Sequence, residues 1–166
     1  MNNDQLDRLK VNEVFNESIN RPFLFVYPDT ILLEPTTFLA IGPEIYVDGL
    51  VVVAELKKDG KKIQTPIGSI GGRDLLSSIL GGDYNHLEDF FLHMTASQTM
   101  VEMTESDWVE LKSPLSKVID IFKRTRFAFV PIVGTAGEDN NNKPTTVGAL
   151  TIRDFLPLIV NKKICV

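Results

Sequence analysis

The sequence predicts an α/β protein of the α+β type that consists of two repeated β-α-β-β-α motifs. Two segments of the chain match earlier segments at the same spacing, and these matches predict the fold class. The segment Gly148–Leu156 repeats the pattern of Gly68–Leu76 at a constant offset of 80 residues, so that Asp154 answers to Asp74. The apolar run Val130–Val133 matches Leu50–Val53 at the same offset. Because unrelated segments rarely keep register over such a distance, we infer an internal duplication.

The second repeat shows its elements most clearly. Leu115, Val118, Ile119 and Phe122 recur at helical spacing and predict its first helix. Around this helix the pattern predicts a first strand at Trp108 to Leu111, a buried strand at 127–133, a polar loop from Gly134 to Lys143, a strand at 145–150 and a closing helix from 151 to about 160.

The first repeat predicts the same order of elements with a weaker first helix. Its strands are expected at Ile31 to Leu33, Gly49 to Leu56 and Ile63 to Ile70, and Lys58-Asp59-Gly60-Lys61 is typical of a hairpin turn. The helix pattern formed by Phe38, Leu39, Ile41 and Ile45 is interrupted by Gly42-Pro43. Because proline interrupts a helix at the preceding residue, we expect this helix to be distorted.

A segment with helical apolar spacing precedes each repeat, at Gln5 to Phe15 and at His86 to Leu92. We interpret both segments as lead-in helices. The boundary between the halves is expected at Gly81-Gly82-Asp83, where two glycines end a helix and no apolar run continues. Residues 1–82 would then hold the first lead-in helix and motif, residues 83–166 would hold the second, and together they would form one module.

Composition and charge argue against several classes of function. The chain of 166 residues has a formal net charge of −5 and no basic stripe, so we expect no nucleic-acid partner. It contains no run of about 18 apolar residues, so we expect no membrane span. The single cysteine, Cys165, cannot form a disulfide within the chain or complete a zinc site. These features predict a soluble, cytoplasmic protein.

Candidate catalytic and metal-binding patterns are weak. The stretch Gly68–Gly72 is rich in glycine but lacks the lysine of a phosphate loop. His86 and His93 could share one helix face, but no third ligand with zinc spacing follows, so we interpret them as surface or core histidines. Serine, histidine and aspartate occur without a nucleophile elbow. We therefore expect no enzymatic activity, no metal and no required cofactor.

The duplicated strand-to-helix junction carries a family resemblance. A Gly-x-x-Thr-x-x-Asp string joins the last strand to the last helix at Gly148–Asp154, and an apolar strand precedes it by about fifteen residues in each copy. This arrangement resembles the tandem cystathionine β-synthase (CBS) domain pair, or stand-alone Bateman-type module, over roughly residues 10 to 160. The resemblance implies a pseudo-two-fold pair with two clefts for adenosine ligands: AMP, ADP, ATP or S-adenosylmethionine. It also implies a homodimer that regulates a protein partner.

The resemblance also implies which residues hold the ligand. In such pairs the aspartate at the start of the last helix holds the ribose hydroxyls, the residue at the threonine position supports ribose or phosphate, and the partner motif supplies the adenine pocket. By position, one cleft would join Thr151, Arg153 and Asp154 to Thr30, Val47 and Gly49. The other would join Arg73 and Asp74 to Phe127 and Phe129.

The chemistry of these residue types agrees with nucleotide binding. A helix N-terminus suits a phosphate, a carboxylate can accept hydrogen bonds from a vicinal diol, and arginine grips phosphate oxygens. The same Thr151-x-x-Asp154 spacing is also a helix capping box that needs no ligand. The alternative function is therefore a structural or protein-interaction pair without a nucleotide. Because Gly71 occupies the threonine position of the first copy, we expect the cleft at Asp154 to bind more tightly.

Apolar residues on the predicted helices favour a homodimer. The first helices of the two repeats carry Phe38, Leu39, Ile45, Val118, Ile119 and Phe122, and the closing helices carry Leu75, Leu76, Ile79, Phe155, Leu156 and Ile159. One small core can cover one face of each helix. A second apolar face left in water would exceed what monomers usually expose, so we expect two chains to meet through these helices.

Overall fold

Each repeat forms a long antiparallel hairpin beside a short parallel strand in the computed structural model of the chain. The structure describes residues 3–15, 24–33, 49–58, 60–82, 87–135 and 144–160. The strands are β1 (Phe25–Val26), β2 (Gly49–Lys58), β3 (Lys61–Gly71), β4 (Val101–Glu102), β5 (Val109–Glu110), β6 (Phe129–Thr135) and β7 (Pro144–Thr151). The helices are α1 (Asn3–Arg8), α2 (Val11–Val14), α3 (Gly72–Gly81), α4 (Leu87–His93), α5 (Ala96–Thr99), α6 (Leu115–Arg124) and α7 (Ile152–Val160), with a 3-10 turn at Glu105–Asp107.

The strands form two sheets, in the order β1-β2-β3-β4 and β5-β6-β7. In both sheets the first strand runs parallel to the second, and the second and third form an antiparallel hairpin. Helices and these two small sheets together confirm the predicted α+β class. Within the first repeat, the segment expected to form its first helix, including Gly42-Pro43, lies outside the described residues.

The duplication is confirmed in the hydrogen-bond register. Val52 pairs with Gly68, and Ile132 pairs with Gly148, at the same offset of 80 that the sequence shows. The register shifts immediately after Val52 in one hairpin and after Ile132 in the other. Because a bulge bends a strand and increases its twist, its recurrence gives both hairpins the same curvature.

The turn between β2 and β3 lies where the sequence predicts it. Lys58 pairs with Lys61, and Gly60 adopts a φ angle of 76°. This left-handed conformation carries no steric cost for glycine, which lacks a Cβ atom. The corresponding turn of the second repeat falls in 136–143, outside the described residues.

The first strand of the first repeat differs from the prediction. Ile31 to Leu33 do not form a strand: Ile31 makes a single bridge with Thr95, and the N–H of Leu32 donates to the carbonyl of Met94. The parallel strand is instead β1, where Phe25 pairs with Val51. The apolar run at Ile31 to Leu33 is explained by Leu32, which is fully buried beneath the first sheet.

Each lead-in segment packs against the other repeat. Residues 3–15 contribute Leu6, Val11 and Phe15 to the core of the second repeat. The N–H of Val11 donates to the carbonyl of Ser113, and the N–H of Leu115 donates to that of Leu9. Conversely, Phe91 packs against the core of the first repeat, and just after this segment the N–H of Ala96 donates to the carbonyl of Thr30. The boundary at residues 82 and 83 stays a prediction, although α3 does end at Gly81.

A third apolar cluster lies between the repeats. Val51 and Val53 from β2 meet Phe129 from β6 and Met103, with Tyr27, Phe127, Ala128 and Ala149 packed around them. Polar contacts join β3 to β7: the N–H of Gln64 donates to Thr145 Oγ1 at 3.1 Å, and Thr146 Oγ1 donates to the carbonyl of Gln64 at 2.8 Å. In the described part of the chain, no helix is long and apolar enough to cross a membrane.

Candidate functional site

The starts of α3 and α7 have the same geometry, with an aspartate folded back onto the backbone that precedes the helix. The N–H of Thr151 donates to Asp154 Oδ2 at 2.7 Å, and the N–H of Gly71 donates to Asp74 Oδ2 at 2.7 Å. In the second repeat Thr151 Oγ1 also approaches Asp154 Oδ2, at 3.3 Å. These bonds show that the capping interpretation is correct for both aspartates.

The two aspartates differ in burial. Asp154 is 9% exposed, whereas Asp74 is half-buried. The neighbouring arginines, Arg153 and Arg73, are both exposed at the helix starts. The partial positive charge of a helix N-terminus favours carboxylates and phosphates, so each helix start offers a polar, anion-compatible rim.

A direct contact between Gly49 and Phe129 links the two helix starts. Gly49 pairs with Gly71 at the beginning of α3, and Phe129 pairs with Thr151 at the beginning of α7. A Cβ atom built on Gly49 would lie 3.0 Å from Cε1 of Phe129, so the ring packs directly on the glycine. The structure therefore places the predicted residues Gly49 and Phe129 in contact, and each of them pairs with a residue whose N–H is held by a capping aspartate.

Of the three remaining predicted ligand residues, two have contacts of their own and one lies outside the described residues. Thr30 closes the turn after β1: its hydroxyl oxygen accepts from the N–H of Tyr27 at 3.0 Å, and its carbonyl accepts from Ala96. Phe127 is half-buried and packs against both the second core and the inter-repeat cluster. Val47 lies outside the described residues.

A polar network near the junction of the repeats was not anticipated from the sequence. The hydroxyl of Tyr27 donates to Glu55 Oε2 at 2.6 Å, and the amide of Gln64 donates to the Tyr27 hydroxyl at 3.2 Å. Lys62 lies 3.4 Å from the same carboxylate. The hydrogen bond from Tyr27 holds the pKa of Glu55 below its usual value against partial desolvation, and Lys62 and Gln64 act in the same direction. No local motif joins these residues, which come from three strands or their flanks.

Asp107 is a buried acid in the 3-10 turn between β4 and β5. Burial raises the pKa of Asp107, and hydrogen bonds from the N–H and hydroxyl of Thr104, each at 2.8 Å, lower it. The guanidinium of Arg124, 2.9 Å from Asp107 Oδ1, lowers the pKa further. The net result is a pKa below the usual value, and this pair fixes the 3-10 turn onto the end of α6.

An open cavity of about 710 Å³ lies at the other end of β6. Its walls include Trp108, Lys112, Lys117 and Gly134, and none of the predicted ligand residues lines it. In the ranges that the structure describes, no group of three or more histidine, cysteine, aspartate or glutamate residues is placed to hold a metal ion. The polar features at the predicted positions are therefore the two capped helix starts and their arginines.

Fold and site together define the class of the protein as a tandem-repeat α+β module. Each repeat ends in a helix whose start is capped by an aspartate, and the strands paired with these starts meet through one glycine–phenylalanine contact. The second repeat supplies a hydroxyl at the cap, and the first supplies only a backbone N–H.

Comparison with known proteins finds a family match for one of the two repeats. Residues 100–161 match the family model of the CBS domain. No curated protein matches the sequence. Residues 100–161 comprise most of the second repeat, from just before β4 to the end of α7, so the family match itself concerns that repeat.

Solved structures extend the likeness in fold to most of the chain. The CBS domain pair of protein MJ0100, in complex with 5-methylthioadenosine and S-adenosyl-L-methionine, has a TM-score of 0.60 at 16% identity over 93% of this chain and 98% of that one. The CBS domain protein PAE2072 from Pyrobaculum aerophilum, complexed with AMP, has a TM-score of 0.58 at 19% identity over 89% and 91%. A CBS domain-containing protein from Thermotoga maritima has a TM-score of 0.59 at 17% identity over 92% and 95%. The predicted resemblance is confirmed: the chain has the fold of a CBS-domain pair, and its second repeat matches the CBS domain.

Proposed function

We propose that this chain is a non-catalytic module that binds an adenosine-containing ligand and regulates a protein partner. The observation that carries the proposal is the pair of aspartate-capped helix starts, repeated at one offset and joined through Gly49 and Phe129. Ligand-bound relatives of the same fold support the ligand class, since their ligands are AMP, 5-methylthioadenosine and S-adenosylmethionine.

The proposed chemistry of binding uses each part of a helix start. The carboxylate of Asp154 or Asp74 would accept hydrogen bonds from the ribose hydroxyls. A carboxylate has about four lone-pair sites, so helix capping and diol binding are compatible roles for one side chain. The exposed guanidinium groups of Arg153 and Arg73 would meet a phosphate, and Thr151 would add a hydroxyl in one cleft only. No covalent step is proposed, and no metal or further cofactor is needed.

The two clefts would differ in strength. The second helix start has a threonine hydroxyl and a more deeply buried aspartate, whereas the first has Gly71 in the threonine position. Charged hydrogen bonds are stronger where solvent is excluded, so we propose that the cleft at Asp154 binds more tightly than the cleft at Asp74. The roles of Thr30, Val47 and Phe127 in completing these clefts are part of the same proposal.

The proposal includes a homodimer and a cytoplasmic location. Four exposed apolar residues support dimer formation: Leu76 and Leu80 on α3, and Ile152 and Leu156 on α7. Val118 and Phe155, which the sequence also suggested for such a surface, are instead buried in the second core, and Ile119 and Phe122 pack against it. Among the residues that the sequence suggested for such a surface, Leu76 and Leu156 are exposed, and both lie on the closing helices.

Isothermal titration with a panel of adenosine, AMP, ADP, ATP and S-adenosylmethionine tests the proposal. We expect saturable binding of at least one of them, and we expect GMP at equal concentration to bind more weakly. Thermal unfolding in the same solutions should show a rise in Tm that grows with ligand concentration, because a ligand that binds only the folded state stabilises it.

The alternative function predicts a different result in the same titration. If the aspartates serve only as helix caps in a protein-interaction pair, none of the five ligands will produce heat of binding or a shift in Tm at millimolar concentration. That result would refute the proposed ligand class.

A further inference from the structure

A buried hydroxyl in the first repeat finds no hydrogen-bond partner in the described part of the chain. It belongs to Ser69 on β3, which is completely buried. Burying a hydroxyl without a partner is costly, and buried polar groups in folded proteins are nearly always paired. A hydroxyl at this buried position therefore indicates a hydrogen-bond partner from outside the described residues.

The register of the sheet places Ser69 on the side that faces the second repeat. Ser69 pairs with Val51 on β2 and with Val101 on β4. Directly paired residues lie on the same face of a sheet. Val51 belongs to the cluster between the repeats, together with Met103 and Phe129. The hydroxyl therefore lies on an otherwise apolar face at the inter-repeat cluster.

The same strand leads from Ser69 to the start of α3. Gly71, two residues later, donates its N–H to Asp74. At about 3.4 Å per residue, Ser69 and Gly71 are about 7 Å apart along β3. A nucleoside has a similar span from its ribose hydroxyls to the polar edge of its base. Val101, paired with Ser69, is 44% exposed, so solvent lies one strand away from the hydroxyl.

The second repeat lacks this group. The residue equivalent to Ser69 at the offset of 80 is Ala149, which packs against the same inter-repeat cluster. A hydroxyl can both donate and accept a hydrogen bond, which suits the ring nitrogens and exocyclic groups of a purine. Of these two equivalent strand positions, only the one that leads to Asp74 therefore carries a side-chain hydroxyl.

We infer that the hydroxyl of Ser69 hydrogen-bonds to the polar edge of a purine base held in the cleft at Asp74, with Val51, Met103 and Phe129 packing against the ring. The inference rests on the proposed function and adds to it the residue that recognises the base. It assigns base recognition by a side chain to the first cleft, whereas the second cleft relies on Thr151 near the sugar and phosphate.

Titration of the intact protein with AMP and with ribose 5-phosphate tests this inference. The second probe has the same sugar and phosphate but no base. Titrations are carried out in the wild-type protein and in the Asp154→Asn background, where binding at the cleft at Asp154 is weakened and the cleft at Asp74 contributes more of the signal. In that background we expect Ser69→Ala to weaken AMP binding about two- to tenfold, the range of a neutral hydrogen bond, and to leave ribose 5-phosphate unaffected.

Thr99→Val is the matched control. Thr99 on α5 carries the other buried side-chain hydroxyl that lacks a partner among the described residues, so the variant makes the same chemical deletion elsewhere. It should leave AMP affinity unchanged. Ser69→Ala should leave the stability of the unliganded protein unchanged or raised, because it removes an unpaired buried group.

Different failures are distinguishable. If the wild-type protein binds none of the adenosine ligands, the proposed function fails and the inference fails with it. If the wild type binds AMP but Asp154→Asn abolishes all binding, base recognition in the first cleft is refuted while the proposed function stands. Equal AMP affinity with and without the Ser69 hydroxyl, or an equal loss in Thr99→Val, would also overturn the inference.

Discussion

Two glycines near the candidate site should respond in opposite directions to the addition of one methyl group. At Gly49, a Cβ atom would lie 2.6 Å from the carbonyl oxygen of Ile70 and 3.0 Å from the ring of Phe129. At Gly72, the first residue of α3, no other heavy atom of the described residues would lie within 4 Å of it, apart from its chain neighbours and the backbone of its own helix. The substitutions Gly49→Ala and Gly72→Ala therefore add the same atom to a filled space and to an open one.

The magnitude follows from two opposing terms. Replacing glycine with alanine restricts the unfolded chain and stabilises the folded one by about 0.4–1 kcal/mol where the conformation allows it. Gly72→Ala should show this gain alone. Overpacking costs about 1–3 kcal/mol, and at Gly49 one of the obstructing atoms belongs to a paired backbone that cannot move aside easily. We expect a net loss of about 1–2 kcal/mol for Gly49→Ala, or a fall in Tm of about 2–4 °C for each kcal/mol.

Urea unfolding at one protein concentration, followed by far-ultraviolet circular dichroism, measures both variants. If the contact between Gly49 and Phe129 is as close as described, the urea midpoint of the wild type lies between those of Gly49→Ala and Gly72→Ala. An alanine at position 49 that is as stable as the wild type would show that the repeats do not meet at this point. The reasoning about the link between the two helix starts would then be wrong.

Three further predictions concern binding, assembly and pH. Asp154→Asn, which keeps an acceptor for the cap but removes the charge, should weaken ligand binding about tenfold to a hundredfold by titration, and more than Asp74→Asn does; the reverse order would refute the assignment of the stronger cleft. Introducing charge at the exposed positions Leu76 and Leu156 (Leu76→Glu with Leu156→Glu) should convert a homodimer to a monomer of 18.6 kDa in light scattering, and a monomeric wild type would contradict the dimer. Because the pKa of Asp107 is lowered in the folded state, its contribution to stability is present above the unfolded value of about 4 and is lost as pH falls through the folded value. Asp107→Asn should therefore be less stable at pH 7 and lose less stability between about pH 5 and pH 3, and parallel urea midpoints across this range would contradict that role.

Periodicity and self-comparison were sufficient to predict the hairpins. The offset of 80 residues identifies the equivalent strands, and the structure keeps it residue by residue through the bulges after Val52 and Ile132. Long apolar strands and their turn carry a strong local signal, because their side chains alternate and a glycine marks the turn. The parallel strand β1 has only two residues, and it is defined by pairing with β2 rather than by its own composition. Sequence reasoning therefore selected Ile31 to Leu33 in its place.

Local sequence patterns also could not predict that each lead-in segment packs against the other repeat. Helical spacing in Gln5 to Phe15 shows that one face is apolar, but it does not show which core covers that face. Val11 and Phe15 pack in the second repeat, about a hundred positions away in the sequence, and Ser116 on α6 donates a hydrogen bond to Asp7. Contacts of this kind depend on how the chain closes, and the same holds for the Tyr27–Glu55–Gln64 network.

At the candidate site, the sequence predicted the capped aspartates and the difference between Gly71 and Thr151, but not the unequal packing of Gly49 against Phe129. A duplication produces two surfaces of the same shape, and two equal bulky residues on a pseudo-symmetry axis would collide, whereas two glycines would leave a void. Gly49 and Phe129 occupy equivalent positions and contact each other, so the large residue fills the space that the small one leaves. Packing at native density requires such complementary volumes. Because the contact lies between the two helix starts, the repeats can close tightly there only by becoming different. The repeats differ in the same way at two further equivalent pairs, Ser69 against Ala149 and Gly71 against Thr151. Because of these differences, we do not expect the two clefts to share one ligand preference, although they share one backbone geometry.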